Sequence, residues 1–138
     1  MWKIFTPVLL TAGLLLLSCD QMEDQPQLRE SLAYSQWEVT GYLPSPNQEP
    51  KVSPVTYQLN FINDSTFILH LDINRIVGKY SATQEGDFLV EEIRQTNSCC
   101  DSEFAIQMAE MVQGAKGYRT TKEGISLRGS GEVFLRKK

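Results

Sequence analysis

Histidine is almost missing from this sequence: His70 is the only one among 138 residues, and three cysteines accompany it. That leaves too few ligands for a structural zinc site, so no metal is expected, and no cofactor either. The nucleophile elbow G-x-S-x-G, the phosphate loop G-x-x-x-x-G-K-[ST] and the H-E-x-x-H zinc helix are all absent, which excludes those enzyme classes. Basic runs are equally scarce. The longest, Arg136-Lys137-Lys138, closes a chain with 13 basic and 17 acidic residues, and such a surface repels a phosphate backbone. Nucleic acid is not an expected partner. A long hydrophobic run is missing too. Residues 4–17 are uncharged and apolar, but as a helix they would reach only about 21 Å against a hydrocarbon core of roughly 30 Å.

What that segment does match is the h-region of a signal peptide, preceded by Lys3 and ending in Leu16-Leu17-Ser18-Cys19. This ending is similar to the bacterial lipobox, cut between Ser18 and Cys19. The resemblance implies that Cys19 becomes the lipidated N-terminus, carrying acyl chains such as palmitate and giving the chain its membrane contact. The organisation expected is a lipoprotein signal peptide at 1–18, a flexible acidic tether at 19–31 and one domain at 32–138. Cleavage removes one Lys and no acid, leaving 12 basic against 17 acidic residues and a side-chain charge of −5. The expected location is the envelope of a Gram-negative bacterium, at the outer rather than the inner membrane, facing periplasm or surface, as a monomer.

Within the domain the dominant period is two. Trp37 and Val39 alternate with polar neighbours; after a Pro-rich loop at 44–54, Val55, Tyr57, Leu59 and Phe61 alternate again; Phe67, Leu69, Leu71 and Ile73 then share one face. Asn63, Asp64 and Ser65 form the turn between the second and third strands. Further strands are predicted at 76–82, 88–93, 117–121, 125–128 and 132–136, separated by Gly-containing turns. The period changes once. Phe104, Met108, Met111 and Val112 fall at helical spacing, with Asp101 or Ser102 able to cap the start and Gly114 the end, which predicts one amphipathic helix over 103–113. The fold class is therefore mainly β (α+β): a small antiparallel curved sheet or barrel-like meander of about 7–8 strands with one packed helix.

Candidate chemistry is sparse. His70 shares a strand face with Ile68 and Asp72, and an enzyme reading would need that pair to meet Cys99 or Cys100, whereas a lone His on a strand is more often a surface residue. Asp64-Ser65-Thr66 resembles the short O-glycosylation acceptor of secreted Bacteroidota proteins, making Ser65 a candidate attachment site; an Asp/Ser turn accounts for the same residues. The vicinal pair Cys99-Cys100 could form a disulfide, but Cα atoms about 3.8 Å apart fall below the usual window of roughly 4.4–6.8 Å. The preferred expectation is one cysteine under the helix start and the other near the surface.

A set of short words resembles one family. Leu-Ala-Tyr-Ser-Gln-Trp-Glu-Val around Trp37, Leu-Asp-Ile-Asn ending at Asn74, Gly78-Lys79-Tyr80 and Thr96 through Cys100 occur in the order and spacing of the META domain, found in HslJ-type heat-shock lipoproteins. The resemblance spans nearly all of the mature domain and centres on Trp37, Asn74, Gly78, Tyr80, Thr96 and Cys100. It implies a curved antiparallel sheet with one helix, and an envelope protein linked in some members to heat shock, stress response or antibiotic tolerance. It implies no enzyme. This chain has Asp72-Ile73 where the family has Gly-Cys, so a family disulfide from Cys100 to that position is impossible here. The function expected is noncatalytic binding of an unidentified envelope protein or polymer; the alternative is a calycin-like carrier of a small apolar ligand. The bulky inward set favours a filled interior.

Overall fold

The computed structural model describes residues 31–138. The signal peptide, the cleavage and lipidation sites Ser18 and Cys19, and the tether up to residue 30 lie outside the described residues. Eight strands and one helix follow in the order β1 (Ser35–Leu43), β2 (Lys51–Phe61), β3 (Thr66–His70), β4 (Arg75–Ala82), β5 (Phe88–Gln95), α1 (Glu103–Gln113), β6 (Gly117–Thr120), β7 (Gly124–Arg128) and β8 (Glu132–Lys137). All eight belong to one antiparallel sheet in the order β5-β4-β3-β2-β1-β8-β7-β6. The sheet curls into a half-barrel. Its two edge strands are pinned at one corner, where Asp87 bridges Gly117, the Phe88 amide donates to the Lys116 carbonyl at 3.1 Å and the Tyr118 amide to Gly86 at 2.8 Å.

The alternation explains the core. Trp37, Val39, Tyr57, Leu59, Phe61, Phe67, Leu69, Ile76, Tyr80, Val133 and Leu135 point into the half-barrel and are buried, because successive side chains of a strand take opposite faces. An aromatic cluster fills one half: Phe61 lies 4.8 Å from Tyr80 between ring centroids, and Tyr80 stacks 5.7 Å from Phe88. Gly78 is the small partner of this cluster. A Cβ there would overlap the Phe67 ring and meet the Glu92 carbonyl at 3.1 Å, so only glycine fits.

The helix closes one end of the half-barrel. Ser102 caps it, its hydroxyl accepting from the Ala105 amide at 3.2 Å, and the Gly114 amide donates to the Glu110 carbonyl at its close. Ala105, Met108, Ala109 and Val112 are buried, each large side chain contributing roughly 1.5–3 kcal/mol. Phe104 at the edge of that stripe lies 4.7 Å from the Tyr42 ring and stacks 5.6 Å from Tyr57. At the other end Leu32, buried in the core cluster, shares a recess of about 90 Å³ with Tyr80 and Tyr118.

Three expectations need correction. Val55 does not face the core; it is 53% exposed. Val39 pairs with Tyr57 but Gly41 pairs with Val52, so residues 53–56 stand opposite Thr40 alone and bulge outward. The second strand begins at Lys51, inside the stretch read as a loop. Ile73 also leaves the core face, being 58% exposed, because β3 stops at His70 and the chain bends back with the Leu71 amide donating to the Asn74 carbonyl at 2.8 Å. Finally, neither Cys99 nor Cys100 packs under the helix start. Both are exposed, and they are joined in a vicinal disulfide.

Candidate functional site

The residues with the densest polar contacts gather where the β3–β4 bend meets the segment leading into the helix. Asn74 is at the centre. It is buried, and its side chain uses every donor and acceptor: the amide donates to the Ser98 carbonyl and to Asp101 Oδ2, both at 2.6 Å, while its oxygen accepts from Thr96 Oγ1 at 2.9 Å and from the Ser98 amide at 2.8 Å. Such saturation is what a buried amide requires, since an unmet donor costs more than a made bond gains. Thr96 extends the clamp to the backbone: the Arg75 amide donates to its hydroxyl at 3.0 Å, and its own amide donates to the Arg75 carbonyl at 3.1 Å. Asn74 and Thr96, set apart by sequence pattern, are therefore in direct contact.

Asp101 completes the clamp from the far side, accepting from the amides of Ile73 at 2.8 Å and Asn74 at 3.2 Å. Burial pushes the Asp101 carboxyl up, but the Asn74 side chain and these two amides outweigh it and hold the group below its usual range. The neighbouring carboxylate, Asp72, is lowered chiefly by the Ser102 hydroxyl at 2.7 Å and then by the Ser102 amide at 2.8 Å. Tyr57 donates to Asp72 Oδ1 at 2.8 Å from the core side, and desolvation raises its own phenol. Two carboxylates thus tie the β3–β4 bend to the helix N-terminus, a position where negative charge is favoured.

The consequence is an exposed loop on a rigid mount. Residues 96–100 are exposed on their side-chain faces, yet the segment is held at Thr96, Ser98, Asp101 and Ser102. The Cys99–Cys100 disulfide lies within this exposed stretch, and the side chains of Ile73 on the β3–β4 bend and Ile106 on the first turn of the helix are exposed as well. This arrangement can present a shaped surface, and it brings neither His70 nor the cysteine pair to Asp72, whose hydrogen-bond partners are Ser102 and Tyr57. His70 is exposed at the end of β3 opposite Arg75.

The remaining candidates are dispersed. Trp37 is buried on β1, its indole N–H donating to Ser35 Oγ at 2.7 Å, and Ser35 in turn donates to the Leu32 carbonyl. Tyr80 is buried on β4 with its hydroxyl donating to the Asn63 carbonyl at 2.7 Å, and burial pushes its phenol up to about 12. Gly78 serves the aromatic cluster. Ser65 is exposed at the β2–β3 turn, its amide donating to Asn63 Oδ1 at 2.9 Å and its hydroxyl at 3.1 Å. Sequence reasoning missed Ser98 and the Tyr57 hydroxyl, and gave Asp101 only as an alternative cap. An acid one residue before a capping Ser was the available signal that one of the two had another partner.

No protein-family model matches this chain. No curated protein matches it. Among solved structures, an NMR structure of a protein from Burkholderia xenovorans is similar, with a TM-score of 0.61 and 10% sequence identity over 78% of this chain and 83% of that one. At that identity the likeness shows the fold alone. Among the described residues no helix is long and apolar enough to cross a membrane.

Proposed function

We propose that this chain is a lipid-anchored envelope protein whose META-like domain binds, without catalysis, another envelope component through the clamped loop at residues 96–101. The observation that carries the reading is the Asn74 clamp. Five hydrogen bonds from one buried residue to Thr96, Ser98 and Asp101 hold in place a loop whose own side chains face solvent. A polar loop positioned by a rigid scaffold is the usual carrier of recognition, and the exposed Ile73, whose amide donates to Asp101, adds apolar area of the kind protein interfaces use. The clamp brings Asn74 and Thr96, residues of the two central words of the META resemblance, into direct contact.

A carrier draws less support. The interior is occupied by Tyr57, Leu59, Phe61, Phe67 and Leu69, while clefts of about 270 and 370 Å³ are lined mainly by outward-facing residues such as Val77 and Lys79, or Glu38 and Val52.

The experiment has two arms. Metabolic labelling with an alkyne palmitate should mark wild-type protein and leave a Cys19→Ser variant unlabelled; an unlabelled wild type overturns the anchor. A photo-crosslinking residue at Asn97 should yield a discrete adduct in native membranes that the same residue at Glu91, on the exposed edge strand, does not. Equal adducts from both positions, or none from Asn97, remove the loop as the binding surface.

A further inference from the structure

At the end of the half-barrel opposite the helix, Tyr34 is 81% exposed and adopts φ 60°, a left-handed backbone that bulky residues rarely take. Neither packing nor backbone preference accounts for an aromatic residue there, and such outliers concentrate where they serve a function. Its neighbour is apolar as well. Ser35 pairs with Phe61, the last pair of the β1–β2 ladder, so Tyr34 and Ile62, which is 46% exposed, each lie one residue beyond it at the same end. Lys138 reaches the same end, its amide donating to the Gln36 carbonyl at 3.0 Å. The other exposed large apolar side chains among the described residues are Val52 and Val55 on β2, Leu89 and Ile93 on the edge strand β5, and Ile73 and Ile106 near the helix start.

This end is also where the chain enters the domain from its N-terminal side. Ser31 begins the described residues one position before the buried Leu32. Twelve chain steps separate it from Cys19, a reach of at most about 40 Å even fully extended. We propose that this end rests on the bilayer, with Tyr34 and Ile62 in the lipid interface. The inference rests on the lipid anchor of the preceding subsection. Amphipathic aromatic rings favour the headgroup level, and an acyl anchor holds the face nearest its attachment at high local concentration. The exposed Asp64 at the adjacent turn offsets the exposed Lys138 at this end, so contact with neutral lipid through the two apolar side chains is expected, not attraction to anionic lipid. The clamped loop, at the other end, would then face away from the bilayer toward a partner.

Removal of residues 1–18 leaves Trp37 as the single tryptophan, three residues beyond Tyr34. Mature lipidated protein, beginning at Cys19, is reconstituted into phosphatidylcholine vesicles containing a fraction of the same lipid brominated near the headgroup. Trp37 fluorescence should be quenched at least about twofold more strongly in wild type than in Tyr34→Ser/Ile62→Ser, although both float with the vesicles. A Trp37→Phe/Ile106→Trp variant, reporting from the helix end, should show quenching as weak as that double variant. Floating wild type quenched no more than the Tyr34/Ile62 variant overturns the inference while leaving the anchor intact. A Cys19 peptide of unmodified mass overturns the anchor, and the inference with it.

Discussion

Replacing Asn74 by Ala removes four side-chain hydrogen bonds at once, three to neutral groups and one to the Asp101 carboxylate. A neutral bond is worth about 1 kcal/mol net and a charge-assisted one about 1.5–3, so the gross loss is roughly 4.5–6 kcal/mol. Thr96 and Ser98 are exposed and regain water, which reduces the expected cost to about 2–4 kcal/mol. In urea unfolding of mature chain carrying Cys19→Ser, that is a fall in midpoint of roughly 1–2.5 M with an unchanged slope. Asn74→Asp is the sharper perturbation, because it keeps the acceptor oxygens but sets a second carboxylate where an N–H now lies 2.6 Å from Asp101. Like charges at about 4 Å repel by roughly 1 kcal/mol in water and 4 at an effective dielectric near 20, and this half-open site falls between. The sign of the pH dependence separates the two effects. Wild-type Asp72 and Asp101 are lowered from 3.8, so their contribution is fully present above that value and is lost as pH falls through the lower folded values. In Asn74→Asp one carboxyl of the new pair is raised instead, so its cost is absent below about pH 4 and grows as pH rises. Combining Asn74→Asp with Asp101→Asn restores one donor facing one acceptor and should recover part of the loss, because the Ser98 carbonyl still lacks its donor. An Asn74→Ala variant within about 0.5 kcal/mol of wild type, or a double variant no more stable than Asn74→Asp, would refute the clamp.

Two further outcomes are expected. Gly78→Ala should lower the thermal midpoint through overpacking of about 1–3 kcal/mol, and Phe67→Leu in the same chain should recover part of it; an unaltered melt would contradict the close approach of that ring. The intact mass of mature Cys19→Ser protein should rise by about 2 Da on mild reduction as the Cys99–Cys100 bond opens, and a mass indifferent to reductant would show free thiols.

The local layers of this structure were legible in the chain. Phe88, Gly117 and Glu132 each start a strand where alternation and a preceding turn said they would, and the helix runs from Glu103 to Gln113 as the spacing of its apolar residues required. These features depend on neighbours a few residues apart, whose backbone geometry sets which side chains share a face. Asn74 and Thr96 were singled out by resemblance, but their contact was not, because 22 residues and a whole strand lie between them.

What only the tertiary structure decided is whatever depends on a partner strand or on the curl of the sheet. Val55 belongs to an alternating run, yet the β1–β2 register pushes its segment outward. Asp101 could have capped the helix; the approach of the β3–β4 bend gave it two backbone amides and a buried Asn instead, leaving the cap to Ser102. The meeting of β5 with β6 at Asp87 and Gly117 is likewise a product of accumulated strand twist across eight strands. By itself the sequence determined the elements and the fold class, because alternation and capping are local. The clamp, the bulge and the exposed cysteine pair were decided by contacts that exist only once the sheet has closed on itself.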